Sequence, residues 1–181
     1  MNEPLLTDEQ CVRRVFQNEP DAFALLVQKY QTVLLRYFHQ RHTREDSLDL
    51  LQETFCEAWR SLRRYDTRRS FSTWLFTIAY RQSVRFFRTR LNRPDFRAEA
   101  CSEVLESIPA QDVSGKTENG GEENLWTLAR RVLNEPQWTA LWLFYAEDKP
   151  VRDIAQIMGR TTIGVRTLLF RGRKKLREVL T

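Results

Sequence analysis

The sequence predicts an all-α protein of two helical domains, at residues 1–97 and 125–181, joined by a flexible acidic linker at residues 98–124. Apolar side chains recur every three or four positions through both proposed domains, which is the period of an amphipathic helix. Residues that cap helices stand where these periodic stretches begin. Net charge changes sign in blocks along the chain, and no segment alternates as a strand would.

Two helices are expected at the start of the chain. Thr7 is a suitable cap for the first, with Gln10 completing a capping box, and this helix is expected to end near Gln17. The second is expected to start near Pro20. Its apolar stripe consists of Phe23, Leu26, Val27, Tyr30, Val33, Leu34, Tyr37 and Phe38.

Two further helices are expected before residue 98. The third begins near Asp46, and its predicted inner face consists of Leu48, Leu51, Phe55, Trp59 and Leu62. A short basic connector, residues 63–69, precedes a fourth helix capped by Ser70 or Ser72. The apolar side of that helix consists of Phe71, Trp74, Leu75, Ile78 and Ala79.

The C-terminal domain is expected to begin with two short helices. The apolar residues of the first are Leu125, Leu128, Ala129 and Val132. Asn134 caps the next, with Pro136 in its first turn and Gln137 three residues after the cap. The predicted inner face of this helix consists of Trp138, Leu141, Trp142 and Tyr145.

The segment from Pro150 to Arg177 has the pattern of a helix-turn-helix. The small residue Ala155 allows two helices to approach closely, Gly159 accepts a positive φ at the turn, and Val165 packs the second helix against the first. Seven basic and no acidic residues lie between Arg160 and Arg177, so the second helix suits a phosphate backbone.

The net charge of +5 is the sum of four blocks of opposite sign. Residues 1–59 carry −4, residues 60–97 carry +9, residues 98–124 carry −6 and residues 125–181 carry +6. Two basic blocks separated by an acidic one indicate two separate contacts with a polyanion.

Several other classes of protein are disfavoured. The three cysteines are odd in number and far apart, which argues against a disulfide framework or a zinc site. His39 and His42 stand beside arginines near a helix end and do not resemble a catalytic pair. We therefore expect no enzyme activity, cofactor or metal. Without a long apolar run or a signal-peptide pattern, the sequence predicts a cytoplasmic protein.

The fourth helix combines aromatic residues with a row of arginines. Arg81, Arg85 and Arg88 recur at spacings of four and three and share one helix face. Guanidinium groups track phosphates and aromatic rings stack on unpaired bases, so the segment favours single-stranded or melted nucleic acid. The alternative is that the aromatic residues form core and the arginines a solvated face.

Two other surfaces are candidates for binding. On the third helix the polar residues outside the apolar stripe are Asp46, Asp49, Gln52 and Glu53, which suit a basic partner helix or are simply solvated. On the last helix, Val165, Leu169 and Leu176 are expected to face the core. The residues expected to project outward are Arg166, Thr167, Leu168, Phe170 and Arg171. Arginine reads guanine through two hydrogen bonds. The basic residues that follow either contact phosphates or complement the helix dipole.

These motifs resemble a known family. The run from Asp46 to Phe55 followed by Ala58-Trp59 resembles the region 2 core-binding motif of bacterial RNA polymerase sigma factors. The run from Phe71 to Ala79 resembles the promoter-melting segment of their extracytoplasmic-function (ECF) subgroup. Val151 to Arg177 resembles region 4 of that subgroup, with the linker in the family's place.

The resemblance implies a sigma factor that binds core RNA polymerase through its β′ and β subunits, recognises the −35 and −10 promoter elements and promotes DNA melting. It also implies regulation by an anti-sigma factor. The implied polymerase-binding residues are Asp46, Asp49, Gln52 and Glu53. The residues implied near the −10 element are Phe71, Trp74, Arg81, Arg85 and Arg88. Those implied at the −35 element are Arg166, Thr167, Leu168, Phe170 and Arg171.

The chain departs from the family's usual residues at Leu48, Arg81, Arg85 and Leu168. Leu168 replaces a usual basic residue, and either a thymine methyl group or an anti-sigma factor is a suitable contact for it. Two other functions remain open from the residues alone: a stand-alone helix-turn-helix regulator and a helical adaptor that binds only protein.

Overall fold

The computed structural model describes residues 6–91 and 122–180, and every regular element within these two ranges is helical. The helices are α1 Asp8–Phe16, α2 Ala22–His39, α3 Arg44–Ser61, α4 Phe71–Leu91, α5 Glu122–Val132, α6 Glu135–Tyr145, α7 Val151–Met158 and α8 Thr162–Leu180. None of these described helices is both long enough and apolar enough to cross a membrane.

The chain divides into two compact units, Met1–Gln82 and Ser83–Thr181, with the division inside α4. This confirms the predicted all-α fold with two helical domains. The domain limits predicted at residues 97 and 125 stay predictions. The expected linker lies outside the described residues as far as residue 121, and α5 begins at Glu122 rather than at Leu125.

Helix α1 begins with the predicted capping box and is fastened to α2. The backbone N–H of Thr7 donates to Oε1 of Gln10 at 2.8 Å, and the N–H of Gln10 donates to Oγ1 of Thr7 at 3.3 Å. Asp8 accepts from Nζ of Lys29 at 2.5 Å and from the hydroxyl of Tyr30 at 2.6 Å. One carboxylate therefore joins the first turn of α1 to the middle of α2.

The apolar stripe predicted on α2 forms much of the core of the N-terminal unit. Its buried members are Phe23, Leu26, Tyr30, Leu34, Tyr37 and Phe38. Val27 and Val33 lie at the margin and are half-buried. The ring of Tyr30 lies 5.6 Å from that of Phe71, so the stripe also holds the start of α4.

Helix α3 packs through a different face from the predicted one. Leu48 and Trp59 are 47% and 46% exposed, and Leu51 and Phe55 are half-buried. Of the predicted face, Leu62 is buried. The residues of α3 that enter the core are Ser47, Leu50, Thr54 and Ala58.

Small side chains explain the orientation of α3. The hydroxyl of Ser47 donates to the Thr43 carbonyl at 2.6 Å, and that of Thr54 donates to the Leu50 carbonyl at 2.7 Å. These hydroxyl groups are buried without loss of hydrogen bonding, so α3 approaches its neighbours through a face of low hydropathy. The more apolar side of the helix is left at the surface.

The connector between α3 and α4 is fixed by Tyr65. It contains a 3₁₀ turn, Leu62–Arg64, and the hydroxyl of Tyr65 donates to the carbonyl of Arg69. The Tyr65 ring lies 5.6 Å from Phe71 and 5.1 Å from Trp74. Helix α4 then starts directly after Ser70, one of the two caps predicted for it.

Helix α6 is the centre of the C-terminal unit. Asn134 and Gln137 form the predicted capping box, with their reciprocal hydrogen bonds at 3.1 and 3.4 Å. Trp138, Leu141 and Trp142 are buried as expected, whereas Tyr145 is 51% exposed and does not belong to the inner face. Tyr145 ends the helix, where the surrounding helices no longer cover it.

Helices α7 and α8 form the predicted helix-turn-helix. Ala155 and Val165 are buried, and Gly159 adopts φ 61° and ψ 39°. The N–H of Arg160 donates to the Ala155 carbonyl at 2.9 Å, which closes the end of α7. Thr161 then caps α8, because its Oγ1 accepts from the N–H of Gly164 at 3.1 Å.

The register of α8 is fixed by residues that pack inward. Val165, Leu169 and Gly172 are buried. A Cβ atom at Gly172 would lie 2.8 Å from Cδ1 of Leu141, so α8 approaches α6 more closely than a larger residue would allow. Leu176 is half-buried rather than fully in the core.

Replacement of Gly159 tests the turn. Gly159→Ala should lower the free energy of unfolding of α7 and α8 by about 1–2 kcal/mol, because a Cβ atom is strained in the left-handed region. Nothing lies within 4 Å of the added atom, so the cost is backbone strain alone. Amide hydrogen exchange in α7 and α8 measures it. Gly159→Asn is the matched control, because asparagine adopts the left-handed conformation more readily than alanine. Equal amide protection in Gly159→Ala and the native protein would show that the turn does not need a left-handed residue.

High pH should destabilise the N-terminal unit through Tyr65. Burial raises the pKa of Tyr65 to about 12 from an ordinary value near 10. The folded form therefore binds the proton more tightly, and this contribution to stability is complete below pH ~10 and lost as pH rises toward ~12. Circular dichroism against pH should show a steeper loss of helicity for the native protein than for Tyr65→Phe. Tyr145→Phe, which removes an exposed phenol, should follow the native curve, and coincident curves for all three would contradict this role.

Candidate nucleic-acid interface

The outward face of α8 carries most of the residues predicted to contact duplex DNA. Arg166, Thr167, Phe170 and Arg171 are exposed, whereas Leu168 is half-buried beside the inward residues. Spacings of three and four place the exposed residues on the side opposite the buried ones. Leu168 therefore stands at the edge of this face rather than at its centre.

The charge of this face is almost entirely positive. Neither Arg166 nor Arg171 forms an ion pair with any residue that the structure describes. Farther along, Nζ of Lys174 lies 3.8 Å from Oε1 of Glu178, and Nε of Arg173 donates to the Leu169 carbonyl at 3.2 Å. The first turns of α8 thus present guanidinium groups without an acidic partner among the described residues. In the following turns, Lys174 and Arg173 are held by contacts within the helix.

Helix α4 brings a second set of predicted residues to one face. Trp74, Arg81, Arg85 and Arg88 follow at spacings of seven, four and three, so they line the same side of the helix. The three arginines are exposed and Trp74 is half-buried. No acidic residue occurs anywhere in α4. The face is cationic along its length, with an indole ring at one end.

Phe71 does not belong to this face. Its side chain is 1% exposed, and its ring lies between those of Tyr30, Tyr65 and Trp74 at 5.5–5.6 Å. A base has no access to it while the unit is folded. The predicted direct contact is therefore corrected: Phe71 supports Trp74 from beneath and holds the start of α4.

The connector before α4 adds positive charge outside the motifs predicted to bind DNA. Asp66 pairs with Nε of Arg68 at 3.0 Å, and Nε of Arg69 lies 3.8 Å from the same carboxylate. Arg63 and Arg64 are exposed and have no acidic partner among the described residues. The signal in the sequence was the density of arginine itself, five in residues 60–69.

The acidic residues predicted on α3 differ in their surroundings. Asp46 is part of the helix cap: its carboxylate accepts from the Thr43 hydroxyl at 2.7 Å, and its N–H donates to Oγ1 of Thr43 at 3.2 Å. Asp49, Gln52 and Glu53 are exposed. Three of the four residues therefore form an exposed polar surface, and the fourth holds the start of the helix.

An apolar strip that the sequence assigned to the core lies beside this polar surface. It consists of Leu48, Phe55 and Trp59, spaced seven and four residues apart on α3. The Trp59 ring meets Phe23 edge-on at 5.1 Å and borders an open groove along α2. Polar and apolar strips side by side are suited to a partner helix of mixed character.

The described residues offer little for bond-making chemistry. No three His, Cys, Asp or Glu among residues 6–91 and 122–180 are grouped as a metal site requires. His42 is buried, and burial, with Arg44 nearby, lowers the pKa of His39. Cys11 is buried and Cys56 exposed, both as free thiols. The charge and exposure of these surfaces suit polyanions on α4 and α8 and a complementary partner on α3.

Comparison with known families matches both units. The model for sigma-70 region 2 matches residues 26–93, and the model for sigma-70 region 4 matches residues 129–176. The chain is 32% identical to an ECF RNA polymerase sigma-E factor of Haemophilus influenzae, with 94% of each chain covered. It is 28% identical to an RNA polymerase sigma-H factor of Pseudomonas aeruginosa, over 96% of this chain and 93% of that one.

Solved structures share the fold. CnrH in complex with the cytosolic domain of CnrY is similar with a TM-score of 0.69 and 20% identity, covering 96% of both chains. The sigma factor RpoE in complex with the anti-sigma factor NepR, from Bartonella quintana, is similar with a TM-score of 0.64 and 23% identity. That match covers 86% of this chain and 96% of the other.

The two roles of the acidic residues on α3 can be separated by stability. Asp46→Ala should lower the free energy of unfolding by about 1 kcal/mol, because it removes a capping interaction at the start of α3. Asp49→Ala should change it by less than about 0.5 kcal/mol, as is usual for an exposed surface residue. Urea denaturation followed by circular dichroism compares the two. Equal loss of stability in both variants would contradict the distinction.

Proposed function

The chain belongs to the sigma-70 family, in its ECF subgroup, and is a promoter-recognition subunit of RNA polymerase; we propose how its surfaces divide that task. The C-terminal unit binds the −35 element through α8, α4 contacts the −10 element, and α3 binds core polymerase. The observation that carries this division is the distribution of charge. Cationic faces lie on α4 and α8, whereas exposed acids lie beside an apolar strip on α3.

The −35 contact rests on the outward face of α8. Arg166 and Arg171 have no acidic partner among the described residues and lie in the first turns of the second helix of a helix-turn-helix. In that motif these turns enter the major groove. Thr167, Phe170 and Leu168 complete the proposed contact, with Leu168 at its margin. The basic residues farther along bind phosphates and contribute affinity without sequence preference.

The −10 contact rests on α4. Arg81, Arg85 and Arg88 follow the phosphates of the promoter DNA, and the half-buried Trp74 offers the exposed part of its ring to an unpaired base. Phe71 acts indirectly, because it fixes Trp74 from the core side. A helix without acids imposes no charge repulsion on the phosphates of the displaced strand, and stacking of an unpaired base on Trp74 favours the melted state over the duplex.

The polymerase contact rests on α3. Asp49, Gln52 and Glu53 present a polar surface to basic residues of the β′ subunit, and Asp46 supports it from the helix cap. The neighbouring strip of Leu48, Phe55 and Trp59 gives this surface apolar area to bury. Contact with the β subunit is part of the same proposal.

Regulation by a protein partner is a further part of the proposal. The similar structures of CnrH and RpoE were both determined with a bound protein, and that of RpoE with an anti-sigma factor. We expect an anti-sigma factor to bind this chain in the cytoplasm and to compete with polymerase. The chemistry of RNA synthesis stays with the polymerase, and this chain supplies only recognition and melting. No observation favours the stand-alone regulator or the adaptor.

Polymerase binding and promoter-dependent transcription test the assignment together. Purified chain should bind core RNA polymerase and start run-off transcripts from a subset of genomic fragments. Asp49→Ala should weaken polymerase binding about tenfold, because an exposed charge complementary to the partner is lost. Glu19→Ala, which removes an exposed acid from the turn before α2, is the matched control.

Two results would contradict the proposal. Equal polymerase affinity of Asp49→Ala and the native chain would remove α3 from the interface. Salt-sensitive binding to duplex DNA without any polymerase binding would instead support a stand-alone regulator.

A further inference from the structure

A second apolar strip, separate from the one on α3, runs along the centre of the outward face of α8. Ile163 and Phe170 are 72% and 64% exposed, whereas the inward-facing Val165 and Leu169 of the same helix are buried. Their spacing of seven places them above one another on the same side of the helix. The sequence pattern gave Ile163 no role, since it stands outside the stripe that packs inward.

Thr167 completes the strip with its methyl group. Its hydroxyl donates to the carbonyl of Ile163 at 3.0 Å, so its proton is already engaged within the helix. The outward surface between Ile163 and Phe170 therefore consists mainly of carbon. Arg166 and Arg171 flank this surface on opposite sides.

The charge around the strip identifies its occupant. Arg166, Arg171, Lys174 and Lys175 are exposed on the same helix, and Glu178 is the only acid in it. An apolar surface within a dense positive field matches the major groove, where thymine methyl groups lie between two rows of phosphates. A protein partner would have to supply a strongly acidic rim around an apolar centre.

We propose that Ile163 and Phe170 read the 5-methyl groups of two thymines in the upstream promoter element. The proposal rests on the proposed function of α8 as the helix that enters the major groove. Seven residues of helix rise about 10 Å, base pairs rise about 3.4 Å, and a helix in the groove is tilted to the DNA axis, so the two methyl groups lie within about three base pairs of each other. Flanking arginines contact guanines or phosphates, while the strip distinguishes thymine from cytosine.

Deoxyuridine substitution tests this reading directly, because uracil pairs as thymine does and lacks only the methyl group. The full chain bound to core RNA polymerase selects its upstream element from promoter fragments with randomised upstream sequence. Each thymine of the selected element is then replaced singly by deoxyuridine, and binding is measured. Loss of one buried methyl contact corresponds to about 0.8 kcal/mol, or about fourfold in affinity.

The expected result is a loss of about fourfold at two positions within about three base pairs of each other. Ile163→Ala should abolish the effect at one position and Phe170→Ala at the other, which makes the pairing specific. Val179→Ala, which shortens an exposed apolar residue near the end of the same helix, is the matched control and should retain both effects. Circular dichroism confirms that the variants keep their helicity.

Three results would overturn the inference. The selected element could lack such a pair of thymines, or the deoxyuridine substitutions could leave binding unchanged. The third such result is a loss of binding on deoxyuridine substitution that persists at both positions in both alanine variants. Failure of the proposed function has a different signature, since the polymerase complex would then select no sequence at all. That result would overturn both the function and the inference that rests on it.

Discussion

The presentation of α8 depends on how closely it packs against its neighbours. Gly172 allows α8 to approach Leu141 of α6, and the left-handed Gly159 turns the chain so that Val165 enters the core. Together these contacts set the rotation of the helix about its own axis. A rotation by one residue, about 100°, would turn one of the two arginines toward the core and bring buried residues toward the surface.

The same logic operates on α4, with aromatic residues in place of glycine. Tyr65 and Phe71 pack beneath Trp74, and Tyr30 joins this cluster to α2, which is itself fastened to α1 through Asp8. The cluster determines which side of α4 remains at the surface. The arginine row is therefore oriented by core packing at the start of the helix rather than by contacts of the arginines themselves.

Elements specified by local chemistry could be predicted from the sequence, and elements specified by packing could not. The capping boxes at Thr7 and Asn134 and the turn at Gly159 involve residues three to five positions apart, so a pattern suffices to find them. The predicted inner face of α3 was wrong because the hydroxyl groups of Ser47 and Thr54 donate to carbonyl groups within the helix, so these polar residues can be buried. Hydropathy alone then assigns the wrong face. The predicted α4 and α8 residues are largely exposed, but the burial of Phe71 depends on tertiary packing and could not be predicted. Asp46 caps α3 through Thr43, only three residues away, and this role was missed because the helix was expected to begin near Asp46 rather than at Arg44.

The separation of inward and outward residues on α8 has an evolutionary consequence. Val165, Leu169 and Gly172 hold the helix in place, while Ile163, Arg166 and Phe170 make no comparable contribution to the core. Under the proposed −35 contact, substitutions on the outward side change the preferred DNA sequence while the fold persists. Paralogous chains in one cell can thus diverge into separate transcriptional programmes by a few surface changes, and the same property makes this helix a suitable place to engineer orthogonal promoter specificity.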